Sequence, residues 1–263
     1  MNKTPFTRFI YLFFSLVLTS PTLHAQFSAG NILVASSVNA RVYEFDPAYN
    51  LVSSWTHPSF GIPGQALNLG PNGMVFDNLG NLVVAGRDSF CVFSTSGTLL
   101  ACHAKVAIQA TENVIFDFNG NLYTTTSTIG GNQVHKYDQN YNYITTFSMP
   151  TGQLTGITCD TAGNLYIASQ VCSCIYKVDA TTFTSVDVIS GFSGRLEGLQ
   201  MDHNGNLLVA QHFSNATVIG QILRINAFSP LIIQQTISTS TLKFPVPLTI
   251  DNAGNIYTAD YEN

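Results

Sequence analysis

FDNLGNLVVA (76–85), FDFNGNLYTT (116–125), CDTAGNLYIA (159–168), MDHNGNLLVA (201–210) and IDNAGNIYTA (250–259) are five copies of one phrase. Their aspartates, Asp77, Asp117, Asp160, Asp202 and Asp251, lie 40, 43, 42 and 49 residues apart. A period of that size means stacked copies of one supersecondary unit.

Each copy reads as four short strands, here a to d. In the copy around Asp77 these are 73–77, 81–85, 90–93 and 98–102, rich in valine, leucine and phenylalanine. Helical periodicity is absent. The aspartate ends strand a and can cap the amides of the next two residues, while Gly80, Gly120, Gly163, Gly205 and Gly254 supply positive φ. Each turn offers too few oxygens for a calcium shell, so the aspartates read as structural. Strand c repeats as RVYEFD (41–46), QVHKYD (133–138), CIYKVD (174–179) and QILRIN (221–226). GNILVAS (30–36) matches strand b of a copy lacking strand a, and the copy beginning at Pro247 stops after strand b. The tally is b-c-d, four whole copies, and a-b. This predicts an all-β chain, a β-propeller of four-stranded blades. Six blades, with the sequence stopping inside the last, is the leading expectation; five blades, with the terminal strand a completing the first copy, is the alternative.

Residues 1–25 read as a signal peptide: Lys3 and Arg8, an apolar run from Phe9 to Leu18, then Leu23-His24-Ala25. The run is too short to span a bilayer, which takes about 20 residues. The propeller domain is therefore 26–263, and a secreted, periplasmic or cell-surface location without a membrane span is expected. Only 10% of residues are charged, the net charge is −5, and no basic patch exists to bind nucleic acid. Of the five cysteines, Cys91 and Cys102 fall opposite each other if Ser96-Gly97 sits at the turn. A bridge there needs a non-hydrogen-bonded pair; otherwise they are small buried hydrophobes. Cys172-Ser173-Cys174 is a poor zinc signal without a second pair.

The pattern Gly-x-x-x-Asp-x-x-Gly-Asn-Leu-Tyr-x-Ala, followed by a strand c ending in Asp, resembles the NHL-repeat propellers. It is also similar to the gluconolactonase/regucalcin propellers and the streptogramin lyases. The likeness runs from Ala29 to the last residue and implies fold more than function, since these families include binding modules, lactonases and lyases. No Trp-Asp pair ends strand c, so WD repeats fit worse.

Strand a is innermost in a propeller, so its equivalent positions converge on one axis. Five residues before each aspartate stand Asn72, Glu112, Thr155, Glu197 and Val246; the next residues are Gly73, Asn113, Gly156, Gly198 and Pro247. A polar ring at the channel mouth above an apolar layer is expected. The resemblance implies a metal set of Glu197, Glu112 and Asn72 for one divalent cation (calcium, zinc or manganese), although Thr155 and Val246 depart from the pattern. His212 lies at the same end and is the candidate general base for lactone opening or lyase chemistry. His203 lies in the opposite turn. No Gly-x-Ser-x-Gly, phosphate loop or HExxH is present. The leading functional expectation is a noncatalytic exported scaffold, a monomer binding an extracellular small molecule, glycan or protein. The alternative is a divalent-metal-dependent lactonase or lyase with its site at the channel mouth.

Overall fold

The computed structural model describes residues 27–28, 30–37, 39–60, 71–86, 89–104, 111–126, 131–213 and 219–260. The proposed signal peptide lies outside them. Among the described residues no helix is long and apolar enough to cross a membrane.

The chain is a β-propeller of antiparallel sheets. The first blade holds β1 (Ile32–Ser36), β2 (Arg41–Phe45) and β3 (Leu51–Trp55). The second holds β4 (Met74–Phe76), β5 (Leu82–Ala85), β6 (Ser89–Phe93) and β7 (Leu99–Ala104). The third holds β8 (Thr111–Phe116), β9 (Leu122–Thr126), β10 (Gln133–Tyr137) and β11 (Tyr143–Ser148). The fourth holds β12 (Leu154–Cys159), β13 (Asn164–Ser169), β14 (Cys174–Asp179) and β15 (Ser185–Ile189). The fifth holds β16 (Arg195–Met201), β17 (Leu207–His212), β18 (Gln221–Ile225) and β19 (Ile233–Ile237). A terminal pair, β20 (Pro245–Ile250) and β21 (Ile256–Asp260), follows, with β20 packed on β16 and β17.

The tally of b-c-d, four whole copies and a-b is thus observed. The six-blade expectation is corrected: the described strands are too few for six four-stranded blades. The five-blade alternative, with one strand to spare, matches their number.

The core lies between blades. In the four complete blades strand b is buried on both faces, so its alternate residues serve different neighbours. In β13, Leu165 and Ile167 pack with Tyr123 and Val134 of the third blade. Tyr166 and Ala168 pack with Leu196, Leu199 and Val209 of the fifth.

The aspartate turn is more elaborate than the sequence predicts. Asp160 Oδ1 accepts from the amides of Ala162 and Asn164, at 3.0 and 2.9 Å, so of the next two residues only the second donates and Asn164 supplies the other amide. Asn164 Nδ2 and the Tyr166 hydroxyl donate to Oδ2 at 2.8 and 3.0 Å. This is why asparagine follows the glycine: it holds the second carboxylate oxygen. Asp77 makes the same turn but takes its hydroxyl from Tyr141 of the next blade, at 2.8 Å.

Glycine in strand a serves a different need. A Cβ on Gly156 would lie 2.6 Å from the Glu197 carbonyl oxygen, and one on Gly198 would run into the carbonyl of Val246. The inner strands therefore approach at backbone distance, and any side chain there would force them apart.

Cys91 and Cys102 are directly paired across β6 and β7, with Cα atoms 4.1 Å apart, and form a disulfide. Cys172 and Cys174 form a second one, which the sequence reading does not anticipate. Cys159 is free.

Gly198→Ala is expected to cost about 1–3 kcal/mol through overpacking, read as a lower urea midpoint at unchanged slope. A pH dependence follows from the turns. Burial pushes the Asp160 carboxyl up, but hydrogen bonds from Asn164 and Tyr166, with the Lys177 charge, outweigh it and hold the group below the usual range. A folded pKa below the unfolded value of about 3.9 means this stabilisation is complete above that value. It is lost as pH falls through the folded pKa. Melting curves should therefore show Tm falling below about pH 4, and Asp160→Asn should flatten that fall.

Candidate functional site

Every inner strand from β8 onward carries the same irregularity. In β16, Leu196 pairs with Gln211 and Leu199 with Val209, so Glu197 and Gly198 together oppose one residue of β17. The registers of β8, β12 and β20 skip in the same way at Glu112-Asn113, Thr155-Gly156 and Val246-Pro247. These are β-bulges, which re-aim a side chain at a sheet rim. They occupy the positions that the sequence singles out as the channel ring.

The bulge turns Glu197 toward the ends of two neighbouring strands. His212, the last residue of β17, places Nε2 2.7 Å from Glu197 Oε1. Gln170, just beyond β13 in the fourth blade, donates its side-chain amide to the same oxygen. Gln170 and His212 are repeat equivalents, each six residues after the asparagine of its phrase, Asn164 and Asn206. The carboxylate is thus clasped by like positions of successive blades. Gln170 is the residue that sequence reading missed, and its repeat position was the available signal.

The electrostatics follow from the contacts. Nε2 of His212 faces the carboxylate oxygen, and Nδ1 lies on the far side of the ring. Nδ1 is buried and has no hydrogen-bond partner among the described residues. The ring lies 4.9 Å from that of Phe244. The Glu197 side chain is 13% exposed and that of His212 9%, so the pair is largely dry but reachable from the Glu197 side.

Other expected site residues are placed differently. Thr155 is buried and donates to the Leu196 carbonyl at 2.8 Å, so it ties two blades together and the expected polar ring is interrupted there. Asn72 precedes β4, and its amide donates to the Ala85 carbonyl at 3.3 Å. Glu112 occupies the bulge of β8; its side chain lies outside the described residues. His203 in the opposite turn bonds the Asp251 carbonyl at 2.8 Å.

No protein-family model and no curated protein sequence matches the chain. Solved structures do. A protein of unknown function from Bacteroides caccae superposes with a TM-score of 0.70 at 14% identity, covering 90% of this chain and 84% of that one. A catalytically inactive histidine-to-alanine variant of virginiamycin B lyase from Staphylococcus aureus, with quinupristin, gives 0.66 at 14%, covering 89% and 75%. A protein assigned as a gluconolactonase gives 0.67 at 12%, covering 90% and 83%. At such identities the likeness is one of fold, and the neighbours include lyase and gluconolactonase-like propellers.

Glu197→Ala would leave the His212 and Gln170 donors facing an empty position. A loss of about 1–3 kcal/mol is expected in urea melts. Gln170→Ala, which leaves His212 on the carboxylate, should cost less.

Proposed function

We propose that the protein is a propeller-type lyase or lactonase acting on a small polar molecule at the channel mouth. The observation that carries this reading is the Glu197–His212 pair, two titratable side chains in direct hydrogen bond at a bulge of the innermost strand. Both reactions need a proton taken from a C–H or a water and one returned to a leaving oxygen. Glu197, the more exposed partner, meets the substrate; His212 behind it gives or takes the proton through Nε2. Gln170 fixes the carboxylate orientation. The fold shared with a lyase that a histidine-to-alanine change inactivates supports placing a histidine at the centre.

A divalent cation such as calcium, zinc or manganese fits this place as an open site only. Oε1 of Glu197 already takes two donors, which leaves Oε2 and the Gln170 carbonyl oxygen as oxygen ligands. Asn72 and Glu112 hold equivalent positions in two other blades. When bound, the ion would polarise a substrate carbonyl. Export is part of the proposal, supported by the N-terminal pattern of residues 1–25 and by the two disulfides.

The test is turnover of a panel of simple lactones and of quinupristin, with and without added calcium, zinc or manganese, followed by mass spectrometry. Hydrolysis adds one water to the product; elimination opens the ring without a mass change. Glu197→Gln and His212→Ala are each expected to lower kcat/KM by about 100-fold or more. No turnover under any condition, or variants as active as the parent, would sink the reading. Ligand binding without turnover would instead favour the noncatalytic scaffold.

A further inference from the structure

A second cluster lies at the seam between the first and second blades, outside the Glu197 site. His57, just past β3, lies against the Cys91–Cys102 bridge of β6 and β7. Its Nδ1 is 3.7 Å from Cys91 Sγ, and its Nε2 is 4.0 Å from Cys102 Sγ. Among the described residues this is the one place where three or more His, Cys, Asp or Glu ligand atoms gather, all within 4.8 Å. The imidazole is wedged edge-on against Phe60 and Phe93, at 5.8 and 6.1 Å between ring centres. Its position is therefore set by packing, not by the sulfurs.

We propose that His57, Cys91 and Cys102 form a redox-gated site for a thiophilic divalent cation of the zinc class. With the sulfurs bonded to each other the site is closed. Two-electron reduction by an external dithiol breaks the S–S bond and gives two thiols, the dithiol being oxidised to its own disulfide. A zinc ion then displaces both thiol protons to solvent, forms two Zn–S bonds, takes the imidazole nitrogen as its third ligand, and leaves the fourth position to water.

Three features favour this chemistry. The first is distance. Zn–S near 2.3 Å and Zn–N near 2.0–2.1 Å place tetrahedral sulfur and nitrogen ligands about 3.6 Å apart, and Nδ1 already stands 3.7 Å from Cys91 Sγ. Cys102 Sγ must part from Cys91 and move toward the same nitrogen to complete the set. The second is the shell behind the ligands. The Ser59 amide N–H donates to His57 Nδ1 at 3.2 Å and Ser59 Oγ lies 2.8 Å from the same nitrogen, so Nδ1 carries the lone pair that the metal would take. The same Oγ is 3.1 Å from Cys91 Sγ. The third is access. Cys102 is exposed and Cys91 is buried in an apolar cluster, so a reductant reaches Cys102 while Cys91 leaves beside the Ser59 hydroxyl.

Cobalt(II) is the probe, with zinc(II) as competitor, on the mature chain carrying Cys172→Ser and Cys174→Ser so that the other bridge contributes no thiols. Cys159 is a weak competitor, its thiol pushed up to about 11 by burial and by the charges of Asp117 and Asp160. The reduced protein should bind one cobalt with a thiolate charge-transfer band, and zinc should abolish the band. The oxidised protein should show no band. Cys102→Ser should lose it. Loss of an outer-shell partner alone costs about 10–100-fold, so His57→Ala should weaken binding at least tenfold. The proposal fails if the reduced, folded protein shows no band at stoichiometric cobalt. It also fails if His57→Ala binds as tightly as its parent, or if the band survives unchanged in guanidinium-unfolded protein.

Discussion

The inner strands of successive blades run past one another at backbone distance, and much of the molecule follows from that approach. Gly156 and Gly198 are required because a Cβ at either would meet a carbonyl of the next inner strand. The bulge at the same place reconciles this crowding with continued pairing to the second strand, since it absorbs one extra residue and rotates its neighbour outward. In the fourth blade the rotated residue is Thr155, and its hydroxyl closes a gap between blades. In the fifth it is Glu197, whose side chain is too long to be spent that way and reaches the ends of two second strands instead. One backbone device therefore yields a structural tie in one blade and a candidate proton-transfer pair in the next.

The opposite end of each blade is built on a different economy. The aspartate turn closes largely on itself, with carboxylate, two amides, the asparagine side chain and in three copies a tyrosine of the same blade. Such a turn needs little from its neighbours, which suits a repeat that must work in every blade. It leaves the variable chemistry to the other end, where no such motif recurs and side chains of successive blades meet. Asp77 is the exception, borrowing its hydroxyl from Tyr141 of the next blade.

Both clusters with chemical potential lie at seams. Glu197 is held between the fourth and fifth blades, and the Cys91–Cys102 bridge of the second blade meets His57 from the end of the first. Within a blade, neighbouring residues alternate faces and are occupied by core packing. Between blades, loop ends and strand ends meet without a pairing register to satisfy, so polar groups can converge there.

How much of this was legible depended on sequence distance and on repetition. The five phrases determined the strand class, the turn residues, the b-c-d to a-b tally and the inner-strand positions, because period and glycine placement report local backbone geometry. The pairing of Cys91 with Cys102 was also within reach, since a short hairpin places them opposite each other. Tertiary structure alone decided which polar residues meet. Gln170 reaches Glu197 across 27 residues and His57 reaches Cys91 across 34, and no local pattern encodes either contact. It also decided that Thr155 bonds a backbone carbonyl of the next blade while Glu197 meets side chains from two blades. The reason is physical: a repeat specifies the shape of its own unit, whereas the angle and closeness with which units pack set what their edges touch.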